Sequence, residues 1–211
     1  MGKAGSSGRR AIVFDLGGVL IDWDPRHLYR SLCADEAELE RFLAEVCPAE
    51  WNRGMDAGRP FAEAIRERQR EVPEYAEFIG FWGSRWADMV KGEIPGTVAL
   101  LRELKDLGLP LYALSNWSAE TFPWARERFG FLDWFDRIVV SGEVGVAKPD
   151  RAIFELAIRL CGLVPGETVF IDDAPANVAV ARELGFDAVR FTGAVALRAE
   201  LAHRGLVRPG P

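Results

Sequence analysis

Hydrophobic and polar positions follow two different patterns along this chain. The apolar run over residues 11–14 stops at the carboxylate of Asp15 and is followed by paired glycines, which is typical of a buried strand in a parallel sheet. Over residues 22–92 the apolar positions instead recur at helical spacing, and no further buried strand is predicted there. Beyond Pro95 the two patterns alternate. Such repeated β-α units predict an α/β fold with a parallel sheet covered by helices on both faces.

Turn and capping residues mark the limits of the later elements. Pro95 opens a helix that Gly108 ends, and Asp150 caps a helix that ends at Gly162. The strands predicted after Pro95 cover residues 109–114, 137–140, 168–171 and 188–191.

The segment 22–92 is predicted to be a small helical subdomain inserted after the first strand. It ends in an aromatic stripe at helical spacing that runs from Tyr75 to Met89. Such a stripe is typical of a helix packed in a core, and lining a ligand pocket is the other role open to it.

Charge and hydropathy narrow the choice of partners. The 211 residues carry a net charge of -6, and no long basic block offsets it, which argues against a nucleic-acid partner. No apolar stretch approaches the roughly 20 residues that cross a bilayer, so no membrane partner is predicted and the cytoplasm is the expected location. Residues 1–10 are predicted to be a flexible tail, and the oligomeric state has no sequence signal.

Polar residues follow three of the predicted strands. Because the carboxyl ends of parallel strands share one edge of a sheet, these side chains are expected to converge, together with Lys148 from a nearby loop. They are Asp15 after the first strand, Ser115 and Asn116 after the second, and Asp172 and Asp173 after the fourth.

This set of side chains suits phosphoryl transfer. A phosphomonoester dianion repels a carboxylate nucleophile, so its charge has to be neutralised first, by Mg²⁺ and the Lys148 ammonium. Ser115 would orient the phosphate, and Asp15 would attack phosphorus to form an aspartyl-phosphate that water hydrolyses. Mg²⁺ is therefore the predicted cofactor, and a small phosphate ester is the predicted substrate.

Four ordered pieces of the chain resemble the motifs of the haloacid dehalogenase-like (HAD) hydrolase superfamily. They are Val13-Phe14-Asp15-Leu16-Gly17-Gly18-Val19-Leu20, Leu114-Ser115-Asn116, Lys148-Pro149 and Phe170-Ile171-Asp172-Asp173-Ala174-Pro175-Ala176-Asn177. The resemblance covers essentially the whole chain after the N-terminal tail. It implies a Rossmann-like core over residues 11–21 and 93–211, and a small helical cap of the C1 type over residues 22–92.

The resemblance also implies a role for each motif residue. Asp15 would be the nucleophile and a metal ligand, Lys148 would stabilise the nucleophile and the transferred group, and Ser115 would hold the phosphate. The implied metal residues are Asp15, Gly17 through its carbonyl, Asp173 as the main fourth-motif ligand, and Asp172, with Asn177 in support.

Substrate choice is expected to lie in the cap. Trp23 follows the first motif and Trp117 follows Asn116, so Trp23, Trp117, Asn116 and Ser115 are the predicted substrate-binding residues. Tryptophan is equally a common core residue. A small cap on an acidic chain favours a small sugar-phosphate-like ester.

One position departs from most phosphatases that the chain resembles. Those phosphatases carry a second aspartate two residues after the nucleophile, and it acts as general acid and base. This chain has Gly17 at that position. Glycine transfers no proton, so water, the substrate, or another residue such as Asp22 or Asp24 would have to do so.

Two other functions stay open from sequence. A 2-haloacid dehalogenase of the same superfamily also lacks the second aspartate, but the carboxylates of Asp172 and Asp173 make sense chiefly as cation ligands. A phosphate-binding protein without turnover would keep the same site, and only an activity measurement separates it from an enzyme.

Overall fold

The computed structural model describes residues 10–209, so the predicted tail over residues 1–10 lies, except for Arg10, outside the described residues. Within this range the strands are β1 (Ala11–Phe14), β2 (Ile21–Trp23), β3 (Val90–Glu93), β4 (Leu111–Ser115), β5 (Arg137–Val140), β6 (Thr168–Asp172) and β7 (Asp187–Arg190). The α-helices are α1 (Arg26–Tyr29), α2 (Glu36–Arg41), α3 (Ala49–Asp56), α4 (Phe61–Glu71), α5 (Ala76–Ser84), α6 (Pro95–Asp106), α7 (Phe122–Arg128), α8 (Ser141–Val144), α9 (Arg151–Cys161), α10 (Pro175–Glu183) and α11 (Ala194–His203). None of the helices between residues 10 and 209 is long and apolar enough to cross a membrane.

Five of the strands form one parallel sheet in the order β5-β4-β1-β6-β7. β1 lies at its centre, where Phe14 is in register with Ala113 of β4 and Ile171 of β6. The predicted parallel sheet is confirmed. Its three central strands consequently present their carboxyl ends side by side at one edge.

Helices cover both faces of the sheet, because successive side chains of a strand point to opposite faces. In β1, Ile12 and Phe14 belong to one apolar core and Val13 to another. The first core includes Leu101 of α6 and Leu197 of α11, and the second includes Phe154 of α9 and Val178 of α10.

The strands lie close to their predicted positions. β1 and β5 have the predicted limits. β4 begins two residues later than predicted, at Leu111, where its register with β1 starts. Pro110 has no N–H to donate, and only its carbonyl bonds to β1, accepting from the Ile12 N–H at 3.0 Å. β7 begins and ends one residue earlier than predicted.

The segment 22–92, called the helical segment below, is helical except at its two ends. There β2 pairs with β3 in an antiparallel ribbon. This ribbon was not predicted, because Asp22 in β2 and Lys91 and Glu93 in β3 interrupt the apolar runs that mark the buried strands of the sheet. Both strands cross the predicted limits of the segment. The division into core and cap stays a prediction.

Aromatic side chains fill the interior of the helical segment. The ring of Tyr29 lies 4.6 Å from that of Phe42 and 5.9 Å from that of Trp82, between centroids. In the stripe that ends at Met89, the side chains of Met89 and Ile79 are fully buried. Trp82 and Trp86, by contrast, also line cavities, and contact of these side chains with a ligand stays a prediction.

Candidate active site

The carboxyl ends of β1, β4 and β6 bring the predicted site residues together. Asp15 directly follows β1, and its N–H donates to the carbonyl of Ile171 in β6 at 2.8 Å. Ser115 and Asp172 are the last residues of β4 and β6. All three side chains are buried, because a strand end between neighbouring strands has little access to solvent.

Lys148 joins two of these carboxylates. Its Nζ lies 3.0 Å from Asp15 Oδ1 and 2.6 Å from Asp172 Oδ2. The side chain of Lys148 is only 1% exposed, and a buried ammonium needs such partners because it has lost its water. Lys148 therefore lies with the strand-end carboxylates, as predicted from the sequence.

Both carboxylate oxygens of Asp172 accept hydrogen bonds. Asn177 Nδ2 lies 2.9 Å from Asp172 Oδ1 and 3.1 Å from Oδ2, and the N–H of Ala174 donates to Oδ1 at 2.9 Å. With the Lys148 bond, both oxygens of Asp172 are engaged. Asn177 lies inside α10, whose N-cap is Ala174, so its side chain supports Asp172 rather than capping the helix.

Asp173 lies at the mouth of the site, against the glycines that follow β1. A Cβ at Gly18 would come within 2.6 Å of Asp173 Oδ2, and Gly18 has a φ of +73°. A larger residue at this position would both strain the backbone and displace the carboxylate. Oxygen atoms of Asp15, Asp172 and Asp173 all lie within 4.8 Å of one another.

The charges of this cluster do not balance. Three carboxylates face one ammonium, and burial raises the pKa of Asp15 to about 7 although Lys148 opposes the shift. Burial, with the charge of Asp172, also raises the pKa of Asp173. Burial alone would lower the pKa of Lys148, but attraction to Asp15 and Asp172 outweighs it and the pKa is raised. A hard divalent cation suits oxygen ligands of this kind.

Ser115 has an unused hydroxyl. Its Oγ is buried and has no hydrogen-bond partner within residues 10–209. Buried polar atoms are nearly always paired, and an exception asks for an explanation such as a ligand. The position at the end of β4 fits the predicted contact with a phosphate.

Asn116 makes contacts that the sequence did not indicate. Its Oδ1 accepts from the Lys148 N–H at 2.8 Å, and its Nδ2 donates to the Lys148 carbonyl at 2.9 Å. The carboxamide thus fixes the main chain that carries the buried lysine. Asn116 also borders the cavity, and its predicted contact with substrate stays a prediction.

Removing this amide clamp should be costly. We expect Asn116→Ala to lower the free energy of unfolding by about 1–3 kcal/mol, because the N–H and carbonyl of Lys148 lose their partners in a partly buried loop. Asn116→Asp keeps the acceptor but turns a carboxylate oxygen toward the Lys148 carbonyl, so a loss at least as large is expected. Urea unfolding of the three proteins measures the series, and an unchanged Asn116→Ala midpoint would contradict it.

A cavity of about 640 Å³ opens beside the cluster. Lys148 and Asp173 line it from the core, and Trp23 and Trp82 line it from the helical segment. A second cavity of about 40 Å³ lies next to it and is lined by Gly17 and Trp117, among others. Trp23 lines both cavities, and its buried Nε1 has no partner among the described residues. The predicted substrate contacts of Trp23 and Trp117 stay predictions.

Two polar residues of this cavity, Asn52 and Asp56, were not predicted from the sequence. They lie four residues apart on α3 and line both cavities. Their spacing places both on one face of the helix, which is a signal that could have been found.

Parallel strands, a helical segment after the first strand and a carboxylate-lysine cluster at the sheet edge together define a class of α/β enzyme. The model of the haloacid dehalogenase-like hydrolase family matches residues 9–185, and the chain belongs to this family. The resemblance carried by the four motifs is thereby confirmed.

Known proteins similar to this chain over most of its length include named phosphatases. The chain is 28% identical over 199 residues to a sesquiterpene phosphatase of Aspergillus oryzae, a match that covers 91% of this chain and 94% of that protein. It is 26% identical over 209 residues to a D-ribitol-5-phosphate phosphatase of Bacteroides thetaiotaomicron, covering 90% and 95%. A HAD-family enzyme of the same bacterium, solved in complex with magnesium and inorganic phosphate, has a TM-score of 0.64 and 25% identity, covering 88% and 95%.

Proposed function

We propose that this hydrolase is a Mg²⁺-dependent phosphatase that cleaves small phosphomonoesters through an aspartyl-phosphate on Asp15. One observation carries the proposal. Lys148 bridges the buried carboxylates of Asp15 and Asp172, and Ser115, at the end of the strand next to β1, has a buried Oγ with no partner among the described residues. The names of the two phosphatases, each matched over nearly its whole length, support this choice.

The metal would be held by the acidic cluster. Asp15, Asp173 and the carbonyl of Gly17 are the proposed ligands, and Asp172, whose oxygens are already bonded, would contribute chiefly by fixing Lys148 and the shape of the site. Bound Mg²⁺ would supply positive charge next to the phosphate. The excess of carboxylates over cations supports this assignment, as does the magnesium in the solved HAD-family relative.

The residues of the chain would then act in sequence. Ser115 Oγ would bind a phosphate oxygen and Lys148 would neutralise the charge that separates phosphate from Asp15. An Asp15 oxygen would attack phosphorus as the ester bond breaks, and water would later release the phosphate. Asn116 would act by holding the Lys148 main chain in place.

The cavity supports a small substrate. Its volume of about 640 Å³ lies within the range of small-molecule sites. Trp23, Trp82 and Leu43 give it an apolar side, and Arg53 and Asn52 give it polar groups. This mixture fits an ester whose alcohol carries both carbon skeleton and hydroxyls, as a sugar phosphate does. We therefore retain the sugar-phosphate class as the proposal.

A metal-dependence assay tests the proposal. Phosphate release from a panel of sugar and polyol phosphates is expected to require Mg²⁺ and to fall at least about 100-fold with a chelator, because Lys148 alone leaves the phosphate charge uncompensated. Restoring Mg²⁺ should restore the rate. Calorimetry with Mg²⁺ alone gives an independent readout, in which Asp173→Asn should weaken binding.

The dehalogenase and the phosphate-binding protein, the two alternatives from the sequence, are distinguished by assays with and without the chelator. A dehalogenase would release halide from 2-haloacids with or without the chelator. A phosphate-binding protein would bind Mg²⁺ and phosphate but turn over no ester. Either outcome would replace the phosphatase proposal.

A further inference from the structure

The structure has open space at Gly17, the position at which most of the phosphatases that the chain resembles carry a proton-transferring aspartate. A Cβ placed on Gly17 would meet no atom within 4 Å, and Gly17 lines the 40 Å³ cavity. The two residues suggested from sequence as replacements are engaged elsewhere. Asp22 Oδ1 lies 2.8 Å from His27 Nε2, and Asp24 Oδ1 accepts from the Arg26 N–H at 2.8 Å.

Asp56 faces the same open space from the helical segment. It is the last residue of α3 and lines both the 40 Å³ cavity with Gly17 and the 640 Å³ cavity with Lys148 and Asp173. Asp56 therefore stands where the two cavities adjoin. Each of the other residues shared by both cavities, Trp23, Asn52 and Asn116, carries an uncharged side chain.

Hydrogen bonds hold Asp56 in this place from two directions. Asn52 Nδ2 donates to Asp56 Oδ2 at 2.9 Å, and Asn52 Oδ1 accepts from Trp82 Nε1 at 3.2 Å. The Asp56 carbonyl accepts from Ser141 Oγ on the core, and Ser141 Oγ in turn accepts from the Trp117 N–H at 2.9 Å. The end of α3 is thus tied to the loop that follows Ser115. Oδ1 of Asp56 makes no hydrogen bond among the described residues, so one oxygen of this carboxyl group is left without a partner there.

We propose that Asp56 is the general acid and general base of this enzyme, taking from the helical segment the role that Gly17 cannot fill. This inference rests on the proposed phosphatase function. It also assigns α3 a catalytic task in addition to covering the cavity.

The surroundings of Asp56 favour proton transfer near neutral pH. Burial raises the pKa of Asp56 to about 7, and only part of that effect is offset by the nearby ammonium of Lys148. A carboxyl group with a pKa near the working pH is half protonated and both donates and accepts readily. The other charged side chains that line the larger cavity are Asp24, Arg26, Arg53 and Asp173. The charges of Glu143 on α8 and of Glu63 on α4, the two helices that pack against α3, are exposed.

The proton moves twice in each turnover. As an Asp15 oxygen bonds to phosphorus and the ester P–O bond breaks, the Asp56 carboxylic acid gives its proton to the leaving alkoxide, which departs as the alcohol. In the second step the Asp56 carboxylate takes a proton from water as the water oxygen bonds to phosphorus. The bond to Asp15 breaks, inorganic phosphate leaves, and Asp56 is again protonated.

Leaving groups of different basicity test this role. Asp56→Asn keeps the size of the side chain and the bond to Asn52, and we expect it to lower kcat/KM for a sugar phosphate about 10²–10⁴-fold, the usual contribution of general acid catalysis. For 4-nitrophenyl phosphate, whose phenolate leaves without a proton, a loss below about 5-fold is expected. Asp133→Asn, at an exposed position, is the matched control and should change neither value.

The pH profile of the unmodified protein supplies a second test that needs no variant. For the sugar phosphate, kcat/KM should fall as pH rises above about 7, because Asp56 loses the proton that it must donate. For 4-nitrophenyl phosphate this fall should be weak, and in Asp56→Asn it should be absent.

The outcomes separate this inference from the function on which it rests. If the unmodified protein hydrolyses no ester, the proposed function fails. If it hydrolyses sugar phosphates but Asp56→Asn slows both esters equally, or neither, the assignment of Asp56 is overturned. A leaving-group dependence that appears in Asp24→Asn instead would move the role to Asp24. Thermal melting of each variant shows whether it is folded.

Discussion

Asp15→Asn is expected to reduce phosphate release by more than about 1,000-fold, because an amide is a far weaker nucleophile than a carboxylate and the covalent step is lost. The substitution preserves the shape of the side chain, and its Oδ1 can still accept from the Leu16 N–H, which now donates to Asp15 Oδ1 at 2.7 Å. The measurement is single-turnover phosphate release with Mg²⁺ in excess. Asp133→Asn is the control for loss of a carboxylate elsewhere.

Asp15→Asn is also expected to change the way in which the free energy of unfolding depends on pH. In the metal-free protein the pKa of Asp15 is raised by burial from 3.8 to about 7, so between these values the folded state binds more protons than the unfolded state. Stability should then fall as pH rises through this interval. Asp15→Asn lacks this contribution and should lose less stability over the same range in urea unfolding. Retention of more than a tenth of the activity, or a steeper pH dependence of stability, would contradict the role given to Asp15.

Lys148→Met is expected to be the most destabilising of the substitutions considered. It leaves the buried carboxylates of Asp15 and Asp172 without their shared ammonium, and breaking a buried ion pair in this way typically costs about 3–5 kcal/mol. Methionine keeps an unbranched apolar side chain as far as Cε, so little of the effect should come from lost packing. Urea unfolding in chelator measures the loss.

A control variant, the pH dependence of stability and the activity each test the ion pairs of Lys148. Lys91→Met, at an exposed position in β3, should leave stability within about 0.5 kcal/mol. The loss in Lys148→Met should shrink at acidic pH, because a proton on Asp15 removes the unpaired charge. Activity should fall at least about 100-fold even where the variant is folded, since the phosphate loses a fixed cation. Equal stability of Lys148→Met and Lys91→Met would refute the proposed pairing.

A structural feature of this protein is predictable from sequence to the extent that a local pattern of residues encodes it. β1 was predicted with its exact limits, because an apolar run that ends at Asp15 and a glycine pair is a local pattern. The convergence of Asp15, Ser115 and Asp172 followed from one general property of parallel sheets and needed no knowledge of the packing. The ribbon of β2 and β3 was missed, because its stability comes from pairing between segments far apart in the chain.

Side-chain partners were harder to foresee. The predicted contact of Asn116 with substrate stays a prediction, and no local pattern indicated that its amide holds the Lys148 main chain, 32 residues away. Asp56 carried no motif, and its carbonyl is bonded to Ser141, 85 residues away. Contacts of this kind depend on how the helical segment packs on the sheet, which no local pattern encodes.

The sequence by itself determined the order of the four motifs, the parallel sheet and the strand ends that carry the acidic residues, because each follows from periodicity or from residues adjacent in the chain. The cytoplasmic location and the division into core and cap remain predictions from the sequence. The tertiary structure alone decided that Lys148 is buried between two carboxylates, that Ser115 Oγ lacks a partner among the described residues, and that Asp56 lines the same cavity as Gly17. The physical reason is that burial and charge pairing are properties of the packed chain. Side chains distant in sequence set each other's solvation, and with it their chemistry.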